Sequence, residues 1–248
     1  MELFDRKEYK YYVDYRHLES LRRRFLTNME YDPFCRDLES KCYTVRSIYL
    51  DTRNLLFYYE KKNGIKMRKK LRIRTYNEGS HDSTAFLEIK RKNQQRVFKE
   101  RSKIWLAEAP NLLNGARLEL VEDQPEYREK LALDRFIYLT KRLKLEPQSL
   151  IAYEREAFVG LDDPTLRVTF DLNVRSYLQP DPTEIFREDD LKHMESSRFI
   201  LEIKFTGRMP FWVRCIIRDF KLRIQSISKY CNGLDAWRIK EAALGTSV

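Results

Sequence analysis

On three stretches rich in β-forming residues Glu and Lys stand two residues apart: Glu8 and Lys10 in "RKEYKYYV", Glu88 and Lys90 in "FLEIKRK", and Glu202 and Lys204 in "LEIKF". Arg72 and Arg74 in "LRIRTY", and Lys99, Arg101 and Lys103 in "VFKERSK", keep the same step. Arg155 in "AYEREAF" and Arg167 with Asp171 in "LRVTFD" place further charges in runs of β-forming residues. Such a set can handle phosphate. Arg forks grip phosphate oxygens bidentately and Lys acts as a point charge. A few carboxylates among the cations suit a hard divalent ion that bridges phosphate oxygens.

A two-residue step puts side chains on one face of a strand. Each charged set therefore shares a face, opposite an apolar one: Leu71 and Ile73, Leu87 and Ile89, Leu201, Ile203 and Phe205. Two readings follow. Each face is the solvated side of an antiparallel sheet, with Lys and Glu discouraging edge pairing; for one strand alone this is the better account. Taken together, the strands favour a second interior, because Arg and Lys dominate the faces, E-x-K recurs on three strands, and the opposite faces are apolar enough to pack under helices. Cations at that density need water and anions around them, since an unpaired buried charge costs several kcal/mol.

The elements that must position these faces read as strands at "KEYKYYVD", "YTVRSIYLDT", "KMRKKLRIRTYNE", "STAFLEIKRK", "RVFKERSKIWL", "SLIAYEREAFVG", "TLRVTFDLNVRSY" and "RFILEIKFTG". Helices are expected around "RHLESLRRRFLTN", over "NLLFYYEKKNG" ending at Gly64, from Gln124 to about Lys144, after Pro210, and in a closing helix at about 228–243. "NEGSHDS" is a turn-rich loop and "LDDP" suits a hairpin turn. Strands outnumber crossover helices, so the expected class is α+β: an antiparallel β-barrel with peripheral helices, in a single domain over residues 1–248.

Composition narrows the partners. The formal charge is +10, from 48 Lys and Arg against 38 Asp and Glu, which calls for a polyanion: nucleic acid, an anionic membrane surface or phosphorylated small molecules. Cys35, Cys42, Cys215 and Cys231 form no CxxC pair and have no His at finger spacing, so they read as reduced thiols in a cytoplasmic protein. The N-terminus is charged from its fifth residue, unlike a signal peptide, and no apolar run approaches the ~20 residues that span a bilayer. His17, His81 and His193 sit in polar surroundings, far apart, and are expected at the surface. No P-loop, dinucleotide-binding glycine pattern or G-x-S-x-G elbow is present. "KKNGIKMRKK" is either a solvated basic hairpin or a segment that brings Lys66, Arg68 or Lys69 to the site.

With these residues in hand, the chain resembles the polyphosphate polymerase domain of the vacuolar transporter chaperone (VTC) family, within the triphosphate tunnel metalloenzymes. The resemblance runs from about Arg6 to Leu234 and rests on "RKEYKYYV", "SIYLDT", "LRIRTY", "FLEIKRK", "VFKERSKI", "AYEREAF", "LRVTFD", "LEIKF" and "SISKYCNGL", in family order. It implies a barrel that takes ATP and transfers its γ-phosphate to a growing polyphosphate chain. By position it implies phosphate binding by Lys10, Arg72, Arg74, Lys90, Lys99, Arg155, Arg167, Lys204 and Lys229, with Lys10, Arg72, Arg74 and Lys204 nearest the chemistry. Arg101 joins the phosphate set by alternation alone. The resemblance also implies Mn²⁺ or Mg²⁺ on Glu202, with Glu88 and Glu8 as further ligands or as partners that position their neighbouring Lys. A membrane-protein partner is compatible with it.

Two alternatives stay open at this level. Water as the attacking group gives a tripolyphosphate or nucleoside triphosphate hydrolase with almost the same site. A basic barrel without turnover gives a module that binds polyphosphate or RNA. RNA platforms interleave exposed aromatics with basic residues, whereas here most aromatics alternate onto the opposite face, Tyr12 and Tyr76 excepted. No nucleic-acid partner is therefore expected.

Overall fold

The computed structural model of the protein describes residues 6–77, 79–80, 82–93, 96–114 and 127–244. Its strands are β1 (Arg6–Asp14), β2 (Met29–Tyr31), β3 (Tyr43–Asp51), β4 (Met67–Tyr76), β5 (Thr84–Asn93), β6 (Arg96–Trp105), β7 (Glu146–Gly160), β8 (Arg167–Leu178), β9 (Lys192–His193) and β10 (Arg198–Thr206). The α-helices are α1 (Leu18–Leu26), α2 (Pro33–Arg36), α3 (Leu56–Lys62), α4 (Ala109–Asn114), α5 (Tyr127–Leu143), α6 (Phe211–Asp219) and α7 (Lys229–Leu244). His81 and the start of the helix expected from Gln124 lie outside the described residues.

The chain packs as two compact units. One holds residues up to Thr44 with Tyr153–Val174 and Glu195–Ser228; the other holds Val45–Ala152, Arg175–Met194 and the chain from Lys229 on.

In the first unit β10 lies between β1 and β8, antiparallel to both. Alternation sorts the side chains as the sequence requires. Tyr11, Val13, Leu201, Ile203, Val168 and Phe170 face one core, with Leu21 and Phe25 of α1 and Val213 and Ile216 of α6 packed on it. Leu21 and Phe25 are one helical turn apart, so one face of α1 buries both. The Phe25 ring meets Phe170 and Trp212 edge-on, at 5.9 and 6.1 Å between centroids. Each such side chain contributes about 1.5–3 kcal/mol by leaving water. The turn between β7 and β8 closes with Gly160 N–H donating to Leu166 O at 3.0 Å. Gly160 is required there, because a Cβ would stand 2.6 Å from the Asp163 carbonyl oxygen.

In the second unit β3, β4, β5 and β6 pair in that order, each antiparallel to the next. Ile48, Leu50, Leu71, Ile73, Leu87, Ile89 and Ile104 form one apolar face, covered by Leu133 and Phe136 of α5. Arg46 is the exception on that face. Its buried guanidinium donates to the Asn77 carbonyl at 3.2 Å and pairs with Glu188. The helix α3 lacks a side-chain cap of its own, and the buried Asp51 carboxylate supplies one: it accepts from the N–H groups of Phe57 at 2.9 Å and Tyr58 at 3.0 Å.

The antiparallel α+β class expected from the sequence is the class found. Among the described residues, no ladder closes either unit's strands into a ring. No helix among the described residues is long and apolar enough to cross a membrane.

Candidate functional site

The face opposite each apolar core carries the charges, and in each unit they gather around buried carboxylates. In the first unit the register sets Lys10 against Glu202 and Glu8 against Lys204 across β1 and β10, and Thr169 and Arg167 of β8 against Glu202 and Lys204. The Lys10 ammonium lies 2.8 Å from Glu8 Oε1 and 3.1 Å from Glu202 Oε2, while Lys204 pairs with Glu202 Oε1. Glu202 is 5 % exposed. Thr169, its cross-strand neighbour, has a buried hydroxyl with no hydrogen-bond partner among the described residues. Beside them Arg155 grips Asp171 bidentately, at 2.6 and 2.9 Å, and Asp171 is fully buried. Arg167 reaches the other way, to Asp32 at 3.0 Å, so it does not pair with Asp171, its neighbour on the strand face.

In the second unit the buried carboxylate is Glu88, 1 % exposed. Its Oε2 accepts from Arg72 Nε at 2.7 Å, and Lys99 stands 2.7 Å from Oε1, with Arg101 Nε at 3.7 Å and Arg74 Nη1 at 4.0 Å. Arg74 also donates to Ser47 at 2.9 Å, and Arg72 donates to the Tyr49 hydroxyl at 2.9 Å. Lys90 faces Lys70 on one side and Lys99 on the other. Like charges directly opposite repel, and this register brings three ammonium-bearing side chains into one row. Arg101 lies 3.4 Å above the Phe86 ring centroid. Lys229 opens α7, and the next residue anchors that helix: Tyr230 stacks on Tyr49 at 5.2 Å and donates to Asp51 at 2.7 Å.

The field of the second unit is legible in its phenols. Burial pushes a phenol up, as it does Tyr11, which burial and, to a lesser extent, Tyr9 take to about 12. Burial opposes ionisation of Tyr49 too, but Arg72, Arg74 and Lys70 outweigh it and pull that phenol down to about 7. Tyr76 is lowered against its own burial by Arg74 and Arg101. Glu88 is held well below the usual carboxylate range, because Arg72, Arg74 and Lys99 overcome its burial. Burial lowers Lys99, and Glu88 only partly offsets this.

This field gives a measurable expectation. Tyr49 releases its proton near pH 7 when folded and near pH 10 when unfolded, so between these values the unfolded chain holds the extra proton and stability rises with pH. The contribution is complete above about pH 10 and lost as pH falls through about 7. Ultraviolet titration of the native protein should show one phenol ionising near pH 7. Tyr49→Phe should remove that transition, and a phenol titrating near 7 in the variant would refute the assignment.

The sequence candidates thus divide between the units. Lys10, Arg155, Arg167, Lys204, Glu8 and Glu202 lie in the first; Arg72, Arg74, Lys90, Lys99, Arg101, Glu88 and Lys229 lie in the second. Alternation assigned the strand residues among them to the charged faces, Lys229 coming from the family resemblance alone, but did not reveal Tyr49, Ser47 or Thr169. Those three are ordinary strand formers by type, and only pairing with β4 or β10 brings them to Arg72, Arg74 and Glu202. His17 rests edge-on against Phe220 and His193 is exposed, so neither enters a cluster. Arg68 faces Lys92 across β4 and β5 and extends the cationic row toward the strand ends.

A hard divalent ion fits part of this donor set. Among the described residues no three His, Cys, Asp or Glu converge. Glu8 and Glu202 do converge on one ammonium, beside an orphan hydroxyl. Two carboxylates suffice for Mg²⁺-like ions when phosphate supplies further oxygens. Glu88 differs in its crowding: Arg72 and Lys99 hold its two oxygens, and Arg101 and Arg74 stand within 4.0 Å as well.

Comparison with protein families decides where the chain belongs. The model of the VTC domain matches residues 5–238. The chain belongs to the VTC domain family. Comparison with curated proteins returns no significant match. Among solved structures, this VTC domain is similar to the PH1819 protein of Pyrococcus horikoshii, at 15% identity and a TM-score of 0.48, over 96% of this chain and 99% of that one. It is also similar to HpAC1 of Hippeastrum, a candidate adenylyl cyclase with a dominant triphosphatase activity, at 11% identity and a TM-score of 0.49, over 92% and 94% of the two chains.

Proposed function

We propose that this VTC domain is a metal-assisted phosphoryl-transfer enzyme that extends inorganic polyphosphate with the γ-phosphoryl group of ATP. The observation that carries the reading is the Glu88 cluster. One buried carboxylate is shared by Arg72 and Lys99, with Arg74 and Arg101 close by and a Lys70–Lys90–Lys99 row alongside, which gathers six cationic side chains on one face of the sheet. Glu88 positions these cations, and their convergence suits a phosphate chain.

The roles follow from the geometry. Arg72, hydrogen-bonded to Glu88 and Tyr49, and Arg74, hydrogen-bonded to Ser47, present forks to phosphate oxygens. Lys90, Lys99, Arg101 and Lys229 supply further charge to the chain. Lys10 and Lys204 flank Glu202 and pair with phosphate oxygens when an anion enters; Arg155, held by Asp171, and Arg167 complete the cationic face of the first unit. Glu202 and Glu8 would hold Mn²⁺ or Mg²⁺, which supplies charge neutralisation on bridged phosphate oxygens.

In the transfer, a terminal oxygen of the acceptor chain attacks the γ-phosphorus, a new P–O bond forms and the bond to ADP breaks. The acceptor oxygen is already ionised, so no general base is required; the residues contribute alignment and neutralisation of spreading charge.

Purified protein mixed with ATP and Mn²⁺, followed by gel electrophoresis stained for polyphosphate, tests this. Long chains support the polymerase. Phosphate release from tripolyphosphate without chain growth would replace it with a hydrolase, and neither product would leave a binding module.

A further inference from the structure

Both oxygens of Glu202 are taken by ammonium groups, Oε2 by Lys10 at 3.1 Å and Oε1 by Lys204, and Lys10 also holds Glu8 at 2.8 Å. The point where the two carboxylates converge is therefore filled by the Lys10 ammonium. A divalent ion arriving alone would have to stand within a few Å of two ammoniums, and that repulsion is strong in a partly buried site. Phosphate changes the balance. Its oxygens form charge-assisted hydrogen bonds with lysines, and Lys10 and Lys204, 23% and 27% exposed, have the freedom to turn toward it. On the other side of Glu202 from Lys10, the buried Thr169 hydroxyl has no hydrogen-bond partner among the described residues and is a further polar group facing Glu202.

We propose that Lys10 is a placeholder for the divalent ion, so that the ion binds Glu202 and Glu8 only together with a phosphate chain that draws Lys10 and Lys204 away. The proposal rests on the phosphoryl-transfer reading above and adds an order to it: metal and phosphate bind with positive cooperativity. Thermodynamic linkage makes the coupling reciprocal, so each ligand strengthens the other by one factor, on the order of 5–150-fold.

Electron paramagnetic resonance of Mn²⁺ reads bound ion directly, without turnover. Anion-free protein should bind Mn²⁺ weakly. Lys10→Gln should raise that affinity about tenfold or more, within the coupling range, and adding Glu202→Gln to it should abolish the gain. On the unsubstituted protein, stoichiometric tripolyphosphate should increase protein-bound Mn²⁺, whereas Glu202→Gln protein with the same tripolyphosphate should not, which separates the site from chelation by the anion. Circular dichroism checks that each variant is folded, and the measurement on unsubstituted protein stands whether or not Lys10→Gln folds. Equal Mn²⁺ affinity with and without tripolyphosphate would overturn the placeholder role. Calorimetry with tripolyphosphate alone separates the two failures. Binding of tripolyphosphate without coupling sinks only this proposal, whereas no binding sinks the phosphoryl-transfer reading with it.

Discussion

Glu88→Gln is expected to destabilise the protein by about 2–3 kcal/mol, below the ~3–5 kcal/mol cost of breaking a fully buried ion pair because Lys99 and Arg101 are partly solvated. The amide keeps the volume and removes the charge of a carboxylate 1 % exposed, so Arg72, 21% exposed, and Lys99, 50% exposed, lose their ion pairs, and Arg74 and Arg101 lose a negative charge within 4.0 Å. Chemical denaturation measures the loss. Tripolyphosphate should restore stability more in the variant than in the unsubstituted protein, because the anion then does the neutralising that Glu88 did. A loss below about 1 kcal/mol, the range of exposed pairs, would mean that the cluster is solvated and our reading of its burial wrong. Glu88 also sets an acid limit. Its carboxyl is lowered from 4.5 in the folded state, so the contribution is fully present above about 4.5 and is lost as pH falls toward the lowered native value.

Glu202→Gln is expected to lower kcat about 10³-fold, the equivalent of about 4 kcal/mol of transition-state stabilisation. Anion binding should survive. The substitution releases Lys10 and Lys204 from the carboxylate they share, so tripolyphosphate affinity measured by calorimetry should be retained or increased. Full activity in this variant would remove Glu202 from the metal site. Loss of both turnover and anion affinity would point instead to disruption of the β1–β10 face. The two glutamates are thus separable by experiment: Glu88→Gln acts first on stability, Glu202→Gln first on turnover.

The sequence made most strands and the two-sidedness of each one legible. Side chains alternate across a strand by local covalent geometry, so Leu87 and Ile89 part from Glu88 and Lys90 wherever the strand lies. It also carried the helical faces, as Leu21 and Phe25 one turn apart in α1 illustrate. Short elements escaped it: β2, β9, α2 and α4 are too brief for a period to register.

Partnership was another matter. Glu88 looked like the companion of Lys90, two residues away, yet its oxygens serve Arg72 on β4 and Lys99 on β6. Glu202 and Lys204 do pair along one strand, but Lys10, nearly two hundred residues earlier, takes the other oxygen. Arg155 found Asp171, and Arg167 found Asp32 in the cap of α2. Tyr49 gives no sign of being acidic until Arg72 and Arg74 stand beside it. Alternation is a property of each residue and its neighbours, and the sequence alone determines it. Cross-strand register depends on turns, bulges and the packing of distant segments, and a slip of one residue would exchange every partner, so only the tertiary structure decided which charges meet.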